Sequence, residues 1–203
     1  MITEKAKNIS GVILAGGENK RFNGIIKSNI IIGGSSIISR IITTISDIFE
    51  EIIIVTNTPG NFQSLNQYNI VSDQFLKVGP LGGIHSAIKA SSKESVFIIA
   101  GYMPFVDKKM IMNQIKYFSI RYAEVVIPRL NGQDEPLHAI YSKSIYGKLN
   151  EYLSTRNEFA IRDFLTHVHV SYMHISETEN TKRAFTNINS PFEAEEATRL
   201  FGI

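Results

Sequence analysis

Two glycines at the end of an apolar run, followed by two cations, are the residues best placed to do chemistry in this chain. Val12, Ile13 and Leu14 read as a buried strand that stops at Ala15-Gly16-Gly17, with Arg21 and Lys27 following. A glycine loop exposes bare backbone N–H groups, and no Cβ keeps an anion at a distance. Amides and cations on one connection therefore grip a polyphosphate. Taken singly, Gly16-Gly17 reads equally as a tight turn, and Arg21 and Lys27 as solvated charges. The spacing is neither the dinucleotide fingerprint nor the P-loop, because no Gly-Lys-Ser/Thr follows the glycines.

The elements that must position this loop alternate between strand and helix. Residues 11–15, 51–56, 69–72 and 95–100 are apolar strand-like runs. Residues 29–32 read as a short extended piece. Ser35 or Ser36 caps a helix with isoleucines at 37, 38, 41, 42, 45 and 48, a one-faced stripe of helical period. Gly79-Pro80-Leu81-Gly82-Gly83 turns into a helix through about residue 91, and Asp107 opens another through about 118. Such repetition predicts an α/β fold, a Rossmann-like and mostly parallel sheet covered by helices on both faces. After residue 123 the pattern shifts to strands at 124–128, 137–141 and 168–174 and helices near 143–153, 158–166 and 191–201. A small mixed or antiparallel addition beside the sheet is expected there. The chain reads as a single domain over 1–203, with one half to about 123 and a second from about 124, where the pattern changes.

In open α/β sheets ligands sit beyond the carboxyl ends of the strands. That rule selects Gly16 and Gly17, Asn57, Asp73 and Gly101-Tyr102-Met103-Pro104-Phe105. Asn57 and Asp73 also suit plain turns. The small residues of Pro80-Leu81-Gly82 admit either a ligand or close helix–sheet packing. His138, after Pro136 and Leu137, reads as a ligand-binding imidazole or a structural histidine. Asn187 and Asn189 precede a helix that Ser190 and Pro191 already start. His167, His169 and His174 leave too few donors on one face for a metal site.

Bulk properties narrow the class. The chain has 203 residues, 43% hydrophobic and 20% charged, with a net charge of +2, as in ordinary globular proteins. Interspersed charges argue against nucleic acid as a partner. With no cysteine, thiol nucleophiles and thiolate metal sites are excluded. No run approaches the ~20 apolar residues of a membrane span, and the first residues lack a signal-peptide core. A cytoplasmic, soluble protein without membrane contact is expected.

Taken together, Leu14-Ala15-Gly16-Gly17, Arg21, Lys27, Gly79-Pro80-Leu81-Gly82-Gly83, Gly101-Tyr102-Met103-Pro104-Phe105, Pro136-Leu137-His138-Ala139-Ile140-Tyr141 and Phe185-Thr186-Asn187-Ile188-Asn189-Ser190-Pro191 form a known pattern. The chain resembles the molybdenum cofactor guanylyltransferases of the nucleotidyltransferase superfamily. The resemblance implies transfer of GMP from GTP to the terminal phosphate of molybdopterin, with Mg²⁺ as cofactor. It implies that Leu14–Gly17 and Arg21 hold the triphosphate and that Lys27 stabilises charge, with Arg21 and Lys27 catalytic. Asn57, Asp73, Pro80, Leu81 and Gly82 would line the nucleotide, and Pro136, Leu137, His138, Asn187 and Asn189 the acceptor. Molybdenum-insertion proteins and apo-molybdoenzymes would be its protein partners.

The pattern is broken at two positions. Ile26 stands where the family has an aspartate before the lysine, and Tyr102 where it has its metal-binding aspartate. Asp73, Asn189 or Asp107 would then have to help hold the metal. A catalytically impaired relative, or a nucleotidyltransferase acting on a sugar phosphate, are the rival readings.

Overall fold

A computed structural model describes residues 6–17 and 26–200. Its elements in chain order begin with β1 (Ile9–Leu14), β2 (Ile31–Ile32), β3 (Ser35–Ser36), α1 (Ile37–Ser46), β4 (Ile52–Val55) and β5 (Asn69–Val71). Next come α2 (Pro80–Ala90), β6 (Ser95–Ala100), α3 (Lys108–Ser119), β7 (Val125–Leu130), β8 (Gln133–Asp134) and β9 (His138–Ser142). The chain continues through α4 (Tyr146–Thr155), α5 (Ile161–Leu165), β10 (Val170–Ile175), α6 (Glu179–Ala184) and α7 (Pro191–Leu200).

The main sheet runs β10-β7-β9-β6-β1-β4-β5, with β8 paired to β7. β5, β4, β1 and β6 are mutually parallel, as their continuous apolar runs require. Alternate strand residues feed two cores. Ile13, Ile54, Phe97 and Ile99 join the isoleucine stripe of α1 and residues of α3 and α7 on one face. Val12, Ile53, Val96 and Ile98 join α2, α4 and α5 on the other. The period of two along a buried strand thus builds a three-layer sandwich. Ser36 caps α1 by accepting the Ser39 amide, and Asp107 caps α3 by accepting the Met110 amide at 2.7 Å.

The second half supplies the expected mixed, partly antiparallel addition. Its place is within the sheet, where β9 lies between β6 and β7, antiparallel to both. The crossover through α3 leaves one strand position vacant next to β6. A turn at Asn131 and Gly132, both with positive φ (51° and 78°), folds the chain back to fill it. β10 then closes the edge, parallel to β7. Two local expectations also change. The extended piece at 29–32 is a 3-10 turn over Lys27–Asn29 followed by the β2–β3 hairpin, which turns at Gly33 and Gly34. The short α6 was not anticipated; Thr178 and Thr181 form its capping box.

His138, on β9, is fully enclosed. Phe97 and Phe185 meet its ring edge to face at 5.1 Å each, and neither ring nitrogen has a hydrogen-bond partner. Burial pushes its pKa down to about 4. The folded pKa lies below the unfolded value near 6.5, so on acidification the unfolded chain takes the proton first. His138 therefore contributes stability that is complete above about pH 6.5 and is lost as pH falls toward 4, amounting to about 3 kcal/mol. Denaturant unfolding at pH 4–7 should show that much extra pH dependence in the native chain over His138→Leu; parallel curves would refute it.

Candidate active site

All the parallel strands end at one edge of the sheet, and the loops there are joined by hydrogen bonds. Gly16 and Gly17 follow β1 and stand open. A Cβ on either would meet nothing within 4 Å, and Gly17 has φ 125°. Bare amides at an unobstructed surface suit an anion. Lys27 begins the next turn, and its Nζ donates to Asn189 Oδ1 at 3.0 Å. The same ammonium lies 5.0 Å from the centroid of the Tyr102 ring. Arg21 lies outside the described residues.

The loop after β6 is held tightly against β1. Gly101 N donates to Leu14 O at 2.9 Å, and a Cβ on Gly101 would come within 2.9 Å of that same oxygen. Only glycine permits this approach. Ile188 N in turn donates to Tyr102 O at 2.9 Å. Segments from three distant parts of the sequence thus converge on Lys27. Asn189 is fixed by its own helix start, since its N–H donates to Glu193 at 2.5 Å while Ser190 caps α7.

Further along the edge, Asn57 and Asp73 form a reciprocal pair. Asn57 Nδ2 donates to Asp73 Oδ2 at 2.9 Å, and Asp73 N donates to Asn57 Oδ1 at 3.0 Å. Asp73 Oδ1 is buried without a partner, and burial raises its pKa against the opposing Asn57 bond. The start of α2 closes over this pair. A Cβ on Gly82 would lie 2.7 Å from Phe75 O, and one on Gly83 3.7 Å from Asp73 Oδ1. Pro80 occupies the first helical turn and is exposed, while Leu81 is fully buried and serves the core.

The acceptor-side positions divide between surface and core. Pro136 O accepts from Tyr141 Oη at 2.8 Å, and Leu137 O accepts from Ala100 N at 2.9 Å. Both residues are half-buried at the mouth beside β6. His138 instead points into the core, and Gln114 Nε2 holds its carbonyl at 2.8 Å. It is a packing residue of the core. Asn187 Oδ1 is buried without a partner.

The residues expected to hold Mg²⁺ fit it poorly. Mg²⁺ takes hard oxygens, commonly one or two carboxylates with phosphates and waters. Burial, and then the charge of Glu135, raise the pKa of the Tyr102 phenol, so it stays neutral. Asn189 already accepts from the Lys27 ammonium. Asp107 is the cap of α3. Asp73 lies in the loop after β5, a strand three spacings or about 14 Å from β6. Among the described residues no group of three His, Cys, Asp or Glu could hold a metal. Glu135, which the sequence analysis did not single out, is half-buried in the turn that leads into β9.

Comparison with known proteins agrees with this architecture. The family model of the MobA-like NTP transferase domain matches residues 11–170. A probable molybdenum cofactor guanylyltransferase of Natranaerobius thermophilus is 35% identical, with 96% of this chain and 97% of that protein aligned. One from Clostridium perfringens is 31% identical, over 94% and 96% of the two chains. The crystal structure of molybdopterin-guanine dinucleotide biosynthesis protein A from Archaeoglobus fulgidus superposes with a TM-score of 0.81 at 22% identity, covering 95% of this chain and 98% of that one. The chain therefore belongs to the MobA-like NTP transferase family and is a nucleotidyltransferase.

Proposed function

We propose that this chain transfers GMP from GTP to the terminal phosphate of molybdopterin, forming molybdopterin guanine dinucleotide and releasing pyrophosphate in the cytoplasm. The single structural observation that carries the reading is the Asn57–Asp73 pair. It presents a buried carboxylate oxygen with no partner beside a Cβ-free helix start. Guanine offers adjacent N–H donors along one edge, and an unpaired carboxylate oxygen is the acceptor such donors complete. Near full-length similarity to relatives named for guanylyl transfer supports the same substrate.

In this reading Gly16, Gly17 and Lys27 bind the triphosphate, with Arg21 as a further cation. An oxygen of the acceptor phosphate attacks the α-phosphorus of GTP. The new P–O bond forms as the bond from the α-phosphorus to the bridging oxygen breaks, and pyrophosphate leaves with that electron pair. The attacking group is already an anion, so the step needs positioning and charge neutralisation rather than a strong base. Lys27, fixed by Asn189 and the Tyr102 ring, supplies positive charge next to the reacting phosphates. Mg²⁺, when bound, would neutralise phosphate charge. Pro136, Leu137 and Asn187 line the acceptor side.

Two measurements test the assignment. GTP should raise the melting temperature more than CTP or UTP, since a ligand at a hundred times its Kd adds about 2.7 kcal/mol. With molybdopterin and Mg²⁺ it should release pyrophosphate; protection by CTP or UTP in preference to GTP would overturn the guanylyl reading. Lys27→Ala should lower kcat by about 100-fold or more, the scale of a lost charge-stabilising contact. Its unfolding midpoint should remain near that of the native chain, and unchanged kcat would remove Lys27 from the mechanism.

A further inference from the structure

One stripe of α2 carries the segment that follows Asp73. A Cβ on Gly82 would lie 2.7 Å from Phe75 O, and the His85 ring meets the Phe75 ring edge to face at 5.0 Å. Ser86 Oγ accepts from Gln74 N at 3.0 Å, and Lys89 Nζ donates to Gln74 Oε1 at 2.8 Å. Positions 82, 85, 86 and 89 share one face of a helix. Every contact of that face named here falls on residues 74 and 75, while Asp73 itself is tied on the other side to Asn57.

The stripe is braced from behind by α4. His85 is fully buried, and its ring stacks on that of Tyr146 at 4.8 Å with 25° between the planes. Its Nε2 lies 3.1 Å from Asn150 Oδ1. Burial lowers the imidazole pKa against the opposing Asn150 bond, and the charge of Lys89 adds to the lowering. The ring is therefore neutral. An amide oxygen only accepts, so Nε2 carries the proton and Nδ1 is left bare, buried and without a partner. A bare buried nitrogen adds nothing to stability. What the ring does supply is a rigid wedge between α4 and Phe75, one residue away from the Ser86–Gln74 bond.

This placement bears on selectivity. A hydrogen bond weakens steeply once its partners are misaligned, so a single carboxylate discriminates between bases only while its backbone is held still. Resting on the guanylyl reading above, we infer that Ser86 and His85 of α2 are positioning residues for recognition of the base, holding residues 74 and 75 so that Asp73 keeps its carboxylate in place. Neither residue touches the nucleotide. Both act through the carboxylate, and α4 gives α2 the footing from which they do so.

The test measures binding of non-hydrolysable GTP and ITP analogues and of inorganic tripolyphosphate by calorimetry. Hypoxanthine lacks only the amino group of guanine, and tripolyphosphate lacks a base altogether. In Ser86→Ala and in His85→Leu the GTP-over-ITP affinity ratio should fall by about tenfold, the scale of one lost hydrogen bond to a charged group. Tripolyphosphate affinity should stay within about twofold of the native value, as for independent sites. Ser86→Thr, which keeps the hydroxyl acceptor, should keep the ratio. In an Asp73→Asn background neither substitution should lower the ratio further, because both act through that carboxylate. A folded Ser86→Ala with the native ratio overturns the inference. So does an equal loss of tripolyphosphate binding, or a loss that persists in the Asp73→Asn background. Ser86→Ala removes one hydroxyl and carries the comparison alone where His85→Leu does not fold. A native chain that does not prefer GTP over ITP, or that prefers a CTP or UTP analogue to GTP, defeats the guanine reading instead. The same cycle, read as the affinity of the preferred nucleotide over tripolyphosphate, then decides Ser86 and His85 by the same criterion.

Discussion

The pairing of β9 with β6 is the contact on which the arrangement of this molecule depends. Parallel strands with helical crossovers would by themselves give a nucleotide-binding sheet ending at β6. Because α3 carries the chain past one strand position, the sheet is complete only when the turn at Asn131 and Gly132 sends β9 back into the gap. That strand runs against its neighbours, so its beginning, not its end, reaches the ligand edge. Residues 135–137 thereby face the loop of residues 101–105. The burial of His138, whose ring fills the space between Phe97 and Phe185, locks the register from the core side. A shift by one residue would expel the imidazole and bring Leu137 or Ala139 to its place.

Charge is distributed along the edge in a way that follows from this topology. The cation Lys27 stands near β1 and β6, at the centre of the sheet, in contact with an amide oxygen and an aromatic face. The Asn57–Asp73 pair lies toward the β5 side, where a carboxylate would not quench the lysine. β4 and β5 lie one and two strand spacings from β1, about 5 and 10 Å, so both groups can act on one extended ligand, each on the part whose chemistry it complements.

Much of this was legible in the sequence, for reasons that are physical. The isoleucine spacing of α1, the run at Ser95–Ala100 and the caps at Ser36 and Asp107 are local signals, and each appears where it was expected. The strand-end rule selected Gly16, Gly17, Asn57, Asp73 and Tyr102, and the structure has them at one edge of the sheet. The place of β9 was not legible, because alternation tells which face a residue joins and not which strand lies beside it. The Lys27–Asn189 bond spans 162 positions and leaves no local trace. For His138 the sequence left a ligand-binding and a structural imidazole open, and its position in the strand turns it into the core.

The substitution at position 102 is better understood as a change of the crevice than as a defect of one residue. A phenol there adds a ring for the Lys27 ammonium and removes a negative charge close to it. The carbonyl of the same residue accepts from Ile188 N at 2.9 Å, so position 102 ties the loop after β6 both to Lys27 and to the segment that carries Asn189. Its ring and its backbone thus act on the nucleotide grip together, and a change of side chain here alters the surroundings of the lysine without loosening the loop from β1 or from residue 188.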